Sequence, residues 1–530
     1  MTTEFKKEDY VKASFNNTAI TFLAKALGYI WFMLVAYIFG TQLSTDIYYL
    51  GTSFVMVCSG LFTILIISVF PPILIRLRTR VSLQESLQFA SSTFTWLMII
   101  TLSLALIIFL FPVEVFLRIS KYNTSVLTVN KPLLLFFSFI LIINVAVEFM
   151  RVFVQSMGQF TVTAVVALVQ SFILILCLLT LSGKLHVESM ALGTFLSLLV
   201  QFILLVCYCY LKNIPIRISF TLNTHVFELL RVGLPLWIGH WITLAAIYYA
   251  DYAASGLQGG ALTAVTFSQK VYILPMLILF NPLLEIINTR FSESYHLKKD
   301  LLRNHYLTVT RVLFYILIPL SIFIFLFRWE IVHILFVRGA FTDRDAVITA
   351  NCLGIYSFII ASSCFLQINA RIMFTLQKTG WTTVFGTFGF FLTIAATHYF
   401  VQWFGYWGIP MGKVVVELLY FVPYTTMFMH LYLRKLPLND IIIPFIRTSI
   451  LSLLIGGTLY IAVHLALPHA LTLGIPHNIV YLIFLIGAGS TSAVSYMYCG
   501  KLFKLYEYEY IEYLLKSRFK KSNIKIEIIQ

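Results

Sequence analysis

Residues 87–111 read LQFASSTFTWLMIITLSLALIIFLF and contain no Asp, Glu, Lys or Arg. A helix needs about 20 mostly apolar residues to cross the hydrocarbon core of a bilayer. A charge-free run of this length is therefore typical of a membrane-spanning helix, because lipid offers its peptide groups no other hydrogen-bond partners.

Runs of the same kind recur along the whole chain. We identify fourteen, at 17–40, 47–75, 87–111, 132–156, 158–181, 187–211, 232–255, 261–287, 306–327, 346–370, 379–403, 407–433, 444–466 and 478–500. The second run contains Pro71-Pro72, where we expect a kink or an end, because proline lacks the helical N–H donor. The sequence predicts an all-α integral membrane protein of about 14 transmembrane helices.

The composition agrees with this class. Of 530 residues, 60% are hydrophobic and 11% are charged, and the mean hydropathy is +0.90. Soluble domains are about half apolar and a quarter charged. The composition therefore excludes an ordinary soluble enzyme and indicates that lipid is the solvent for much of the surface.

The net charge of +15 follows the distribution of Lys and Arg. Most of these residues fall in alternate connections, such as Arg76–Arg80, and in the tail 501–530, which places those segments and both termini in the cytoplasm. We read this charge as facing anionic lipid, so no nucleic-acid partner is predicted. Three lysines lie inside apolar runs, namely Lys25, Lys270 and Lys413.

Signatures of other chemistries are absent from the sequence. The seven cysteines are scattered and form no CxxC pair, so neither a zinc site nor a disulfide framework is indicated. No GxxxxGK loop predicts ATP binding, and no paired carboxylates or His-Asp cluster predicts catalysis. We expect a transporter with no catalytic residues, no metal site and no cofactor.

Two short internal similarities suggest a repeat. VFLR at 115–118 is similar to LFVR at 335–338, and Gln155-x-x-Gly158-x-x-Thr161 is similar to Gln377-x-x-Gly380-x-x-Thr383. Both offsets match the length of six helices with their loops. We therefore predict an N-terminal lobe at 1–222, a C-terminal lobe at 223–433, two additional helices at 434–500 and a basic cytoplasmic tail at 501–530, with the two lobes forming a parallel repeat.

Several segments, in this order, resemble a known family. Phe39-Gly40 and Thr45-Asp46 are similar to its first outer loop, FSQKVYILP at 267–275 to part of its eighth helix, and LFVRGAFTDRDA at 335–346 to the loop before its tenth helix, which RIMF at 371–374 and GYWG at 405–408 follow. The family is that of the MurJ-type lipid II flippases, within the multidrug/oligosaccharidyl-lipid/polysaccharide exporter superfamily. The resemblance covers about 25–433.

This resemblance implies a V-shaped bundle of two lobes in the bacterial cytoplasmic membrane. It implies that a polyprenyl-pyrophosphate-linked sugar crosses by alternating access, with membrane lipids and cell-envelope synthesis proteins as partners, and with coupling to the membrane potential or a monovalent cation. Lys25 and Lys270 stand where the family has arginines that hold the pyrophosphate. Lysine keeps the charge but lacks the bidentate fork, so the substrate is lipid II or a related envelope polysaccharide precursor.

Charged residues inside the runs are the candidate site. A charge at the bilayer centre costs at least about 2.5–3.5 kcal/mol, so it usually faces a cavity or a partner. We assign Lys25 and Lys270 to substrate binding, with snorkelling or a structural pair as the alternative for Lys25. Asp251 pairs with Lys270 or couples a cation, or else belongs to an interfacial aromatic belt.

Three further residues are assigned, with Asp251, to coupling or gating. Lys413 and Glu417 are four residues apart and share a helix face, so they form either a self-neutralised structural pair or a proton relay. Asp46, with Thr45, caps the second helix, and a gating contact at the outer rim is the alternative. Glu148 and Arg151, three apart, are interpreted as a structural pair, and His240 as a packed, hydrogen-bonded histidine.

Two other functions remain open at this stage. A cation-coupled multidrug-type exporter needs acidic groups in its cavity, whereas the candidates here are mostly basic. A membrane glycosyltransferase needs a catalytic acid or histidine near the interface and sizeable polar loops, and the loops are short.

Overall fold

A computed structural model describes residues 10–221, 224–281, 283–284, 287, 291, 299–376, 379–433, 436–472 and 476–519. Throughout these ranges the regular structure is helical, with no strand. The fold class predicted from the sequence is confirmed, because helices satisfy their own backbone hydrogen bonds inside lipid.

The helices of the first half have these bounds: α1 Tyr10–Phe39, α2 Leu43–Ile64, α3 Phe70–Arg80, α4 Leu83–Leu110, α5 Pro112–Ile119, α6 Thr124–Val129, α7 Lys131–Ser156, α8 Phe160–Leu185, α9 Glu188–Leu211, α10 Thr224–Ala254 and α11 Ala261–Pro275. A π-helical turn, Leu65–Val69, joins α2 to α3. The helical path therefore continues to Arg80 as one candidate span, and the wider π turn lies just before Pro71-Pro72.

The helices of the second half are α12 Lys299–Leu326, α13 Arg328–Phe336, α14 Asp343–Ser357, α15 Ile360–Thr375, α16 Thr379–Phe404, α17 Gly408–Val416, α18 Val422–Tyr432, α19 Asn439–Leu471, α20 His477–Leu502 and α21 Tyr506–Phe519. A π turn follows α11 at Met276–Phe280, a 3₁₀ turn at Gly405–Trp407 joins α16 to α17, and a π turn at Glu417–Phe421 joins α17 to α18.

Among the described residues, 11 helices are long and apolar enough to cross a membrane, or up to 13 if each of two bent pairs is one span. The difference between thirteen spans and the fourteen predicted from the sequence lies at Thr383–Tyr432, which is one candidate span of 50 residues. At about 1.5 Å per residue this is far longer than a bilayer core is thick. It runs over two predicted spans, 379–403 and 407–433, which meet at Gly405–Trp407.

The chain forms two compact units, and it passes from the first to the second within α11, after Phe267. Unit 1 comprises the described residues within Met1–Phe267, Phe336–Ile348 and Gly386–Ile409, and unit 2 those within Ser268–Leu335, Thr349–Phe385 and Pro410–Gln530. The predicted lobes at 1–222 and 223–433, and the repeat of six helices that they form, stay predictions. Gln377 of the second similarity lies outside the described residues.

Unit 1 is built around α7. In the most apolar stretch of this helix, 18 residues long, 67% of the residues are buried inside the protein. Its core is aromatic: the Phe70 ring lies 5.4 Å from that of Phe89 and 4.9 Å from that of Phe149. Such pairs contribute about 0.5–1.5 kcal/mol beyond their buried area. Here they fix α3, α4 and α7 against one another and give polar groups on the neighbouring helices a rigid frame.

Unit 2 contains a series of hydrogen-bonded polar side chains within its apolar core. Tyr306 donates to the Asn369 carbonyl at 3.0 Å, and the Asn369 amide donates to Thr425 at 3.0 Å. Elsewhere in unit 2, Arg447 of α19 forms an ion pair with the buried Glu507 of α21 at 2.8 Å. These bonds fix the register of α12, α15, α18, α19 and α21, because buried polar groups need partners in one arrangement.

Candidate functional site

The carboxylate of Asp46 is buried, with 2% of the residue exposed, and binds the start of α11. One oxygen accepts from the Gly260 N–H at 2.7 Å. The other accepts from the Thr263 N–H at 2.7 Å and from its hydroxyl at 2.6 Å. The positive end of α11 suits this anion. The expectation that Asp46 caps its own helix is therefore wrong: it caps α11.

Thr45 does contribute to the start of α2. Its hydroxyl accepts from the Gln42 N–H at 2.9 Å and donates to the Gln42 carbonyl at 2.6 Å. The turn before it depends on glycine: Gly40 has φ +60°, and a Cβ there would lie 2.4 Å from the Ala340 carbonyl oxygen. A side chain would therefore be both strained and obstructed at this position.

The loop at 336–346 packs on this same turn within unit 1. The Ala340 N–H donates to the Tyr37 carbonyl at 2.8 Å, and Gly339 has φ +64° with space for no side chain. Asp345 accepts from the Thr342 N–H at 2.8 Å and also bonds to the Thr41 hydroxyl. The loop with the most specific family resemblance is thus a docking element for the α1–α2 turn.

The sequence analysis did not single out Asp345. A signal was present, because Thr342-x-x-Asp345 has the spacing of a capping box at the start of α14. The long-range bond to Thr41 has no such signal, since the two residues are 304 positions apart.

Asp251, on α10, accepts a hydrogen bond from the Ser53 hydroxyl of α2 at 2.5 Å. Nearby, the phenol of Tyr122 is buried and has no hydrogen-bond partner among the described residues. Burial, with the negative charges of Asp46 and Asp251, raises its pKa well above the ordinary value. These carboxylates therefore lie around a neutral phenol in unit 1, and the predicted pairing of Asp251 with Lys270 stays a prediction.

Lys413 and Glu417 bind other partners rather than forming a direct ion pair within the described part of the chain. Lys413 donates to the Tyr272 hydroxyl at 2.6 Å, and its ammonium lies 5.1 Å from the centre of that ring. Glu417, which is buried, accepts from Ser362 and Ser363 at 2.7 Å each.

This corrects the interpretation of Lys413 and Glu417 as a self-neutralised pair. The spacing of four is retained, because α17 is regular up to Val416 and the π turn only begins at Glu417. Each charged group instead bonds to hydroxyls of another helix, α11 for Lys413 and α15 for Glu417. The charges still attract each other electrostatically. Unit 2 thus holds a half-buried cation and a buried anion that are hydrogen-bonded to neutral hydroxyls, so that a change in either charge alters the surroundings of the other.

The two predicted substrate lysines lie one in each unit. Lys25 is exposed on α1, next to the buried Ala24. Lys270 is half-buried on α11, and the neighbouring Gln269 donates to the Tyr356 hydroxyl at 3.0 Å. The predicted structural pair of Glu148 and Arg151 is confirmed at 3.2 Å.

Within the described residues, the helical structure with its 11 to 13 candidate spans defines a multi-pass membrane protein. Residues 35–481 match the family described as Lipid II flippase MurJ. The chain belongs to the lipid II flippase MurJ family. Lys25 lies before the matched region.

Solved structures share the fold. The chain is similar to the inward closed conformation of the lipid II flippase MurJ, with a TM-score of 0.74, 18% identity and coverage of 92% of this chain and 98% of that one. It is also similar to an inward-facing multidrug resistance MATE family transporter of the MOP superfamily, with a TM-score of 0.65, 14% identity and coverage of 80% and 99%.

Two curated relatives are similar in sequence. The probable lipid II flippase MurJ of Aquifex aeolicus (strain VF5) is 25% identical over 51% of this chain and 52% of its own length. That of Buchnera aphidicola subsp. Schizaphis graminum (strain Sg) is 24% identical over 48% and 50%. The chain spans about half the length of the curated relatives it matches.

Proposed function

We propose that this protein moves a polyprenyl-pyrophosphate-linked sugar, lipid II or a related envelope precursor, across the bacterial cytoplasmic membrane by alternating access. The observation that carries this proposal is the family match over residues 35–481. A pyrophosphate and its sugars cannot cross hydrocarbon unaided, because burying unpaired polar and charged groups costs many kcal/mol. A protein must shield them while the polyprenyl tail stays in lipid.

In this proposal Lys25 and Lys270 hold the pyrophosphate. Lys25 is exposed and Lys270 is half-buried on the membrane helices. An ammonium binds phosphate as a point charge, without the paired donors of a guanidinium. The two lysines therefore attract the carrier without fixing its orientation, and contacts to the sugar set the selectivity.

Asp46 acts as the gating residue. Its three hydrogen bonds join α2 to the start of α11, and the 336–346 loop packs beside them. Charge-assisted bonds of this kind are strong in a buried site yet reversible, which suits a contact made in one half of a transport cycle and broken in the other.

Asp251, Lys413 and Glu417 are the candidates for coupling to the membrane potential or to a monovalent cation. Moving one charge across 100 mV is equivalent to about 2.3 kcal/mol. A buried carboxylate such as Glu417 can gain or lose a proton or cation in response to such a driving force. The protein acts as a transporter rather than an enzyme and uses no cofactor.

The distribution of Lys and Arg supports a cytoplasmic location for both termini. Enzymes that make or consume the lipid-linked precursor are the expected functional partners. A multidrug-type exporter or a membrane glycosyltransferase is not favoured, because the family match points to lipid-linked substrates.

The test is translocation of lipid II in proteoliposomes by the full chain. Lys25→Ala and Lys270→Ala should each reduce the rate by about tenfold or more, since each removes one phosphate contact. The exposed Lys184 of α8 provides a matched control, and Lys184→Ala should translocate at the wild-type rate. Unchanged rates for both site variants, with the wild type active, would refute the assignment of the lysines; an inactive wild type would refute the function.

A further inference from the structure

A cavity of about 360 Å³, lined by both polar and apolar side chains, lies inside unit 1, in addition to the contacts described above. Five helices line it: α2, α7, α8, α9 and α10. Its polar lining includes Thr52, Asn144, Glu148, Gln170, Thr194 and His240. The size is at the lower end of the roughly 300–1,000 Å³ of small-molecule sites, which suits a single sugar ring better than a whole oligosaccharide.

Three of these side chains have unused hydrogen-bonding capacity. Asn144, Gln170 and His240 are half-buried, and none bonds to another side chain or backbone group in the described part of the chain. The predicted hydrogen bond of His240 is therefore not formed within those residues. Each amide offers two donors and an acceptor, so the cavity presents both kinds of group to whatever occupies it.

The charge of the cavity is balanced. Glu148 bonds to Arg151 at 3.2 Å, so its carboxylate is compensated by a neighbouring cation. Thr194 is hydrogen-bonded to Tyr48 at 2.7 Å, which holds α9 against α2 at the cavity wall. A phosphate would meet the Glu148 carboxylate, which disfavours an anion.

Other occupants fit less well. A polyprenyl chain would leave the amides of Asn144 and Gln170 without partners, at a cost for each. A metal ion would need several anionic or imidazole ligands, and no group of three or more His, Cys, Asp or Glu residues within the described ranges is arranged to hold one. A neutral group rich in hydroxyls matches the mixed donors and acceptors.

One of the lining helices, α8, packs against α1, which carries the predicted phosphate contact. Ser171, next to Gln170 on α8, donates to the carbonyl of Ala24 on α1 at 3.1 Å. Lys25 follows Ala24, so Lys25 and Gln170 belong to neighbouring turns of two packed helices. A pyrophosphate at Lys25 would thus have its first sugar at the level of this cavity.

We infer that the cavity binds a sugar ring of the lipid-linked substrate through Asn144, Gln170 and His240. This inference rests on the proposed function. It assigns carrier binding and sugar recognition to different residues of unit 1, with Lys25 contacting the phosphate and the amides contacting the sugar hydroxyls.

The test compares two probes on the full chain in nanodiscs: undecaprenyl pyrophosphate, and the same carrier bearing the lipid II disaccharide-peptide. The wild type should bind the sugar-bearing probe more tightly. The double variant Asn144→Ala/Gln170→Ala should weaken its binding by about tenfold or more, as expected for two lost hydrogen bonds, and should bind the bare carrier as the wild type does.

Binding of the bare carrier also reports that the variant is folded. Gln88 is exposed on α4 and outside the cavity, so Gln88→Ala serves as the matched control and should change neither affinity. A double variant that keeps the full preference for the sugar would overturn the inference, as would a wild type that binds both probes equally. A wild type that binds neither probe would instead refute the proposed function.

Discussion

Asp46 and Thr263, 217 residues apart, are joined by two hydrogen bonds, one to the backbone and one to the side chain of Thr263. The residues lie at the starts of α2 and α11, so a single carboxylate holds two helix ends together. A buried carboxylate with three donors is a strong and specific contact, because each charge-assisted bond contributes about 1.5–3 kcal/mol.

Replacing Asp46 by Asn should open this contact. The Asn amide would direct an N–H₂ group towards the Gly260 or Thr263 N–H, and two donors cannot bond to each other. We expect lipid II translocation to fall by about tenfold or more, with a smaller loss for Thr263→Val, which keeps the backbone donor. Translocation in proteoliposomes measures both.

The control for Asp46 is Glu114→Gln on α5, where the carboxylate is exposed, and it should have no effect. A wild-type rate for Asp46→Asn would contradict a gating role for the charge.

Two glycines should be intolerant of substitution. Gly40 has φ +60° and Gly339 has φ +64°, and a Cβ at Gly339 would lie 2.2 Å from the Tyr37 carbonyl oxygen. Gly40→Ala and Gly339→Ala should each cost at least about 1–2 kcal/mol from backbone strain alone, with the obstruction adding to it. The thermal unfolding midpoint of the purified protein should fall.

Gly28 provides the comparison on α1, because nothing lies within 4 Å of a Cβ built there. Gly28→Ala should leave the midpoint unchanged or raise it, since alanine favours the helix. Equal midpoints for all three variants would show that the 336–346 loop does not pack on the α1–α2 turn.

Lys413 and Glu417 should behave as a coupled pair although they share no direct bond. Removing the cation by Lys413→Met leaves the Glu417 carboxylate buried with only neutral donors, which should destabilise the protein by about 3 kcal/mol. Adding Glu417→Gln should recover part of this loss, because no buried charge then remains. A double-mutant cycle on thermal unfolding measures the coupling.

Ser449→Ala on α19 is a suitable control for that cycle, since its hydroxyl donates to the Phe445 carbonyl of the same helix at 2.8 Å. Strictly additive effects of the two charge changes would rule out coupling.

Conversion of the proposed substrate lysines to arginine should preserve or strengthen carrier binding. Arginine offers paired donors that match a phosphate. We expect Lys25→Arg and Lys270→Arg to bind undecaprenyl pyrophosphate at least as tightly as the wild type, whereas Lys25→Met and Lys270→Met should bind about tenfold more weakly. The affinity of the methionine variants should also depend less on salt, because a charge contact is lost.

A methionine variant that binds the carrier as tightly as the wild type would show that the lysine it replaces does not contact the carrier. Lys184→Met is the matched control, because Lys184 is exposed near the end of α8.

Some features were predictable because they depend on neighbouring residues in the chain. The pair of Glu148 and Arg151 follows from a spacing of three on a regular helix. The pair of Lys413 and Glu417 did not form a direct ion pair, because hydroxyls on α11 and α15 bind the two charged groups instead. A local rule holds only where no partner from another helix competes.

The sequence by itself determined that lipid is the solvent for much of the surface, that the protein is helical, and to which family it belongs. Runs such as 87–111 fix the first two properties, because the cost of placing an unpaired peptide group in lipid depends on length and polarity alone. The tertiary structure alone decided which helix end Asp46 binds, that Asp345 reaches Thr41, and that Asn144, Gln170 and His240 face one cavity. These contacts join residues up to 304 positions apart, and they depend on how helices pack, which no local pattern of residues encodes.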